Sequence, residues 1–160
     1  MRKYPIVRSS TAVLLCLAAL ASTTTAQAGT EVGGTFTFEA TAKNIAQLSG
    51  GNGKLQVLET RDLKVGKDLI FRPNGQNIAQ LAGGNATYGS LIATDSEVAG
   101  SLIFEPTAKN VAQLAGGNAK LQTLEISGSK FKGDVIFKPK ATNVAALAGR
   151  DSSVQSARMR

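Results

Sequence analysis

The chain has 160 residues, with 18 Lys and Arg against 11 Asp and Glu, 17 Gly, one Cys and no His or Trp. Without histidine, and with its one cysteine at position 16 in a segment expected to be removed, it lacks Ser/His/Asp and Cys/His chemistry, the commonest zinc ligand and any disulfide. Enzyme is therefore the minor reading, and the sequence nominates no catalytic, cofactor-binding or metal-ligating residue.

Residues 1–28 read as a signal peptide. Arg2, Lys3 and Arg8 form a positive start, Ala12 to Ala21 an apolar run, and Ala26-Gln27-Ala28 a small-residue cleavage site. The apolar run spans ten residues, where a bilayer needs about twenty, so the expectation is export, with no membrane span in the mature chain. Removing this leader leaves 15 basic side chains against 11 acidic ones, a net charge of +4. With no long basic run and few aromatics, nucleic acid is not an expected partner.

Residues 29–160 are four copies of one unit. Asn44, Asn77, Asn110 and Asn143 recur every 33 residues without insertion or deletion, and Phe38, Phe71, Phe104 and Phe137 keep the same register. A fixed period of this length marks a stacked repeat. The fold expected is all-β, a repeat β-solenoid or β-helix of four 33-residue coils.

Taken in order along the third copy, Val98, Gly100, Leu102 and Phe104 alternate as one face of a half-buried strand, with Phe131, Gly133, Val135 and Phe137 as their counterparts one copy on. The next stretch is ambiguous. Asn110-Val-Ala-Gln-Leu114 fits a short helix with Thr107 as N-cap and Gly116 as its stop, or a further strand turning at Gly-Gly-Asn. Lys120 to Ser127 is a second strand candidate, in which Leu121 and Leu124, three apart, require a bulge or a change of face.

Columns of equivalent residues favour stacking. Glu39, Arg72, Glu105 and Lys138 alternate in sign from copy to copy, as do Lys64, Glu97 and Lys130. In-register strands lie about 4.8 Å apart, where opposite charges stabilise and like charges repel. Asp62 over Asp95 is the exception. Asn44, Asn77, Asn110 and Asn143, with Gln47, Gln80 and Gln113 and the turn residues Asn52, Asn85 and Asn118, form columns whose amides are expected to bond along the stack. Asparagine in a Gly-Gly-Asn turn also tolerates positive φ, which accounts for Asn52 without a ladder. The phenylalanine column is the expected core. The last copy changes to Arg150-Asp151 and then Ser152 to Arg160, read as a cap or as a tail that orders on assembly.

The Gln-x-x-Gly-Gly-Asn segments at Gln47 to Asn52, Gln80 to Asn85 and Gln113 to Asn118, followed by a strand carrying Gln56 or Gln122 in copies one and three, resemble the curlin-type repeats of bacterial surface amyloids. In copy two Gly89 stands in place of that second glutamine. The Asn-Val-Ala-rich stretches are similar to other secreted bacterial amyloid subunits, and Ile126 to Val135 resembles bactofilin and haemagglutinin-type β-helix rungs. The resemblance implies a bacterial, secreted or cell-surface subunit that self-associates into cross-β fibres for adhesion or biofilm matrix, with an export or nucleator protein as partner. The alternative is a monomeric secreted β-solenoid binding module, for instance for a polysaccharide.

Overall fold

The computed structural model describes residues 13–15, 23–26 and 30–160, and the expected leader and its cleavage site lie for the most part outside them. The described chain is all-β, without a helix, and winds into a parallel β-solenoid of four coils. Each coil begins with a two-residue strand (Glu31–Val32 in the first) and continues into a long one, Phe36–Ser49 and then Leu69–Ala82, which in the last two coils is split into Leu102–Phe104 with Thr107–Ala115 and Val135–Phe137 with Lys140–Ala148. After the Gly-Gly-Asn turn come Gly53–Leu55 and Val57–Arg61, and the pattern restarts at Lys64. Like strands of successive coils pair in parallel at an offset of 33, for example Phe38 with Phe71, Leu102 with Leu69 and Ala119 with Ala86.

The left-handed residues explain the path. Asn44, Asn77, Asn110 and Asn143 have φ of 52 to 55°, Gln56, Gln122 and Gln155 have 51 to 52°, and Asp62 and Asp95 have 50 and 48°. Glycine fills the remaining places, Gly89 in the glutamine column and Gly128 in the aspartate column. Each such residue resets the alternation of inward and outward side chains. In the first coil Ala42 is buried, Lys43 and Asn44 are both exposed, and Ile45 turns inward again. The break between Leu121 and Leu124 has the same origin, because Gln122 sits between them at φ 52° and both leucines are fully buried. Short polar side chains tolerate this region better than other residues, which gives Asp62 and Asp95 a reason to stack despite their like charge.

One open reading is resolved and one expectation is corrected here. The Asn-x-Ala-Gln-Leu segment is strand: Thr107–Ala115 pairs with residues 74–82 on one side and 140–148 on the other, so neighbouring coils satisfy the backbone that a helix would have satisfied internally. The left-handed asparagine is Asn44 and its equivalents; Asn52 in the Gly-Gly-Asn turn is not among the positive-φ residues.

The interior divides along the coil. Phe38, Phe71 and Phe104 pack with Leu58, Leu91 and Leu124 in the larger cluster, and the rings stack with centroids 5.2 to 5.3 Å apart through Phe137. Such pairs contribute about 0.5–1.5 kcal/mol each beyond burial. A second cluster centres on Leu55, Tyr88 and Leu121, and a third on Ala82, Ala86, Ala115 and Ala119. The coils pack closely at the turn, where a Cβ on Gly83, Gly116 or Gly149 would stand 2.3 to 2.5 Å from the carbonyl oxygen of the glycine one coil earlier.

The fourth coil continues the pattern rather than capping it. Ser152–Val154 pairs with Ala119–Leu121 and Ala157–Met159 with Leu124–Ile126, leaving Met159 63% exposed. At the other end, Val13–Leu15 and Thr23–Ala26 lie along parts of the first coil, pairing Leu14 with Phe38 and Thr24 with Leu58. Their offsets are 24 and 34 residues, outside the 33-residue period.

Candidate functional site

The columns place the sequence-nominated residues as follows. Asn77, Asn110 and Asn143 each donate Nδ2–H to the side-chain oxygen of the asparagine one coil earlier, at 2.8, 2.9 and 3.1 Å. This ladder is exposed, whereas the glutamine ladder points inward: Gln80 donates to Gln47 at 2.8 Å and Gln113 to Gln80 at 2.9 Å. The column ends at Ala146, and the buried Oε1 of Gln113 has no partner. A side-chain amide ladder in the turn is not what forms; there the Oδ1 atoms of Asn52 and Asn85 accept from the backbone N–H of Asn85 and Asn118, at 2.9 and 2.8 Å. Asp151 donates its backbone N–H to Asn118 at 3.2 Å, a longer contact in the coil where Arg150 replaces the turn glycine.

The charge ladder forms direct pairs from Glu39 through Arg72 to Glu105. Arg72 bridges Glu39 at 3.3 Å and Glu105 at 2.9 Å. The hydrogen bond from Arg72 holds the Glu105 carboxyl below its ordinary range and raises the guanidinium in turn, with Lys138 adding to the field on Glu105. Exposed pairs of this kind contribute about 0–1 kcal/mol, so their weight lies in register more than in stability. Lys64, Glu97 and Lys130 pair in register, and Glu31 extends that column one coil earlier. Lys54 and Lys120 bind Glu59 and Glu125 within their own coils, the latter at 2.5 Å.

Sequence reasoning missed two features. The glutamines at the second corner turn inward: Gln56 is 1% exposed and its Nε2 donates to the carbonyls of Ala40 and Asn74, at 2.9 and 3.1 Å. The available signal was Gly89 in the same column, since glycine marks a position of positive φ. The other is an outward stripe of alanine and leucine on the long strands, with Leu48, Leu81, Leu114 and Leu147 exposed in a row beside Ala46, Ala79, Ala112 and Ala145. Its signal was the alternation in Ala-Gln-Leu, which puts glutamine inside and its apolar neighbours out.

Among the described residues, no group of acidic, histidine or cysteine side chains could hold a metal ion. Tyr88, the one tyrosine of residues 29–160, is buried, and burial raises its phenol above the ordinary value of 10.0. The arrangement thus defines a class, a parallel β-solenoid with polar and charged columns along the stack, of which the asparagine ladder runs from the first coil to the fourth. Compared with protein-family models, curated proteins and solved structures, the chain matches none of them.

Proposed function

We propose that the chain is an exported structural and adhesive subunit that stacks end to end into surface fibres or extracellular matrix, in the manner of curli. The observation that carries this reading is the complementarity of the two ends. The column Glu31, Lys64, Glu97, Lys130 begins acidic and ends basic, and so does Glu39, Arg72, Glu105, Lys138. A third column, Glu59, Ile92, Glu125, Arg158, does the same.

If the first coil of a second copy follows the fourth coil of the first at the same period, Lys130 meets Glu31, Lys138 meets Glu39 and Arg158 meets Glu59. Phe137 would carry the ring stack on to Phe38, and Asn143 the amide ladder on to Asn44. Arg160 over Arg61 is a like-charge pair at this junction. A heterologous contact of this type does not close and propagates as a filament. Both coil edges otherwise present unpaired backbone groups, the usual template for strand addition.

Export rests on the leader sequence, and removal of residues 1–28 would free the stretch of the first coil that Val13–Leu15 and Thr23–Ala26 line. No catalytic residue, cofactor or nucleic acid enters this account; the partners are further copies of the chain and an export or nucleator protein. A monomeric polysaccharide-binding module has less support, since its one mature-chain tyrosine is buried.

The test is to express the full chain in a secreting bacterium, recover the product and sequence its N-terminus. Incubation at rising concentration is followed by thioflavin fluorescence, negative-stain microscopy and fibre diffraction. The expected result is a start near Gly29 and unbranched fibres with a meridional reflection near about 4.8 Å. A strand-rich monomer at every concentration would move the assignment to the binding module.

A further inference from the structure

The exposed alanine-leucine stripe has no role in end-to-end stacking, because it faces sideways. We infer that it is the surface on which a second stack of the same chain docks, pairing two filaments through identical faces. The inference rests on the stacking reading above.

The stripe is a shallow trough of about 430 Å³ whose apolar floor and ridge are built from Ala79, Leu81, Ala112 and Leu114 and their equivalents in the outer coils. Leu48 is 78% exposed and Leu147 63%, with Leu81 and Leu114 at 42 and 47%. A ridge of large side chains beside a furrow of small ones is self-complementary. When two such faces meet with strands running in opposite directions, each leucine row enters the other copy's alanine row, the dry interdigitation of a steric zipper.

Area decides why the partner must be a stack. Four coils at about 4.8 Å, and five residues at about 3.3 Å, give roughly 300 Å² per copy. A stable interface buries about 800 Å² on each partner. One molecule falls short, whereas three or more stacked copies reach it, and a filament left single would expose an unbroken apolar stripe along its length.

The ridge and furrow choose the symmetry, and the charges at the rim are compatible with it. Lys43, Gln76, Lys109 and Thr142 border one side of the stripe, and Gly51, Gly84, Gly117 and Arg150 the other. A two-fold axis along the stack sets each border residue against the opposite border of the same coil, so Arg150 meets Thr142 and the two lysines meet glycines. A two-fold axis across the stack would keep each row on its own side and set Leu48 against Leu147, ridge on ridge, so the leucines could not enter the furrow. The paired filaments therefore run in the same direction.

The experiment measures mass per unit length of fibres grown from the secreted protein, by dark-field scanning transmission microscopy. Wild type is expected to give two chains per about 19 Å of fibre. The variant L48K/L114K, altered at exposed positions in alternate coils, should give fibres with one chain in that length. Ala79→Phe, which fills the furrow without adding charge, should do the same, with circular dichroism confirming unchanged strand content in both. Wild-type fibres with one chain per repeat length, or variants that keep two, overturn lateral pairing while leaving end-to-end stacking intact. A protein that forms no fibres overturns both.

Discussion

At the scale of single residues, the repeat is not uniform inside, and its departures compensate one another. Tyr88 stands where the other coils have Leu55, Leu121 and Val154, and Gly75 where they have Ala42, Ala108 and Ala141. A Cβ on Gly75 would lie 1.8 Å from the Tyr88 oxygen, so the larger ring requires the smaller neighbour. Gly75→Ala should cost about 1–3 kcal/mol through overpacking. Adding Tyr88→Leu should restore most of the loss, since Ala beside Leu is the combination in the first and third coils, and chemical denaturation of the single and double variants checks it. The phenol also predicts a pH dependence. It donates to the carbonyl of Thr107 at 3.3 Å, and its folded pKa lies above the ordinary 10.0 because burial disfavours the phenolate. The unfolded chain ionises first, so stability is level below pH 10 and falls as pH rises beyond it. Melting temperatures from pH 8 to 11 should show this fall in wild type and a shallower one in Tyr88→Phe.

At the scale of elements, each coil is shaped by where its left-handed residues fall and is held to its neighbours by side-chain ladders. The inward glutamine ladder is incomplete at Ala146, which leaves Gln113 Oε1 buried without a donor. Ala146→Gln should supply that donor and stabilise the protein by about 1 kcal/mol, read as a higher denaturation midpoint; no change would mean that the orphaned oxygen costs nothing. The strands around Phe104 and the stacking of Asn, Gln and Phe were legible in the sequence, because a 33-residue period without indels states the register directly. The state of Asn110 to Leu114 was not. Its local propensities suit a capped helix as well as a strand, and the neighbouring coils, not local preference, decide between them. The inward, left-handed role of Gln56 and Gln122 was not legible for a similar reason: glutamine is an uncommon choice for positive φ, and its fit depends on backbone carbonyls 16 and 18 residues away.

At the scale of the whole molecule, the solenoid has two unlike ends and one apolar side. Its charges are distributed unevenly along the stack: residues 128–160 carry seven basic and two acidic side chains, while residues 29–61 carry three of each. In the filament we propose, that asymmetry would give growth a direction, with attraction between fourth and first coils and repulsion between two fourth coils. It would also keep the register of the proposed junction, since a slip by one coil would place Lys138 beside Arg72.

The most direct measurement is a mixing experiment on two charge-reversed chains, K130E/K138E/R158E and E31K/E39K/E59K, secreted and followed by elongation rate and microscopy. Alone, each variant places like charges across every junction and should elongate at least tenfold more slowly than wild type. Mixed in equal amounts, they again oppose unlike charges at both kinds of junction, and the account predicts alternating fibres at a rate approaching wild type. Misfolding could slow each variant alone but would not be repaired by mixing. Equal growth of each variant by itself, or folded variants whose mixture stays as slow as its components, would contradict the claim that the columns continue from one copy to the next.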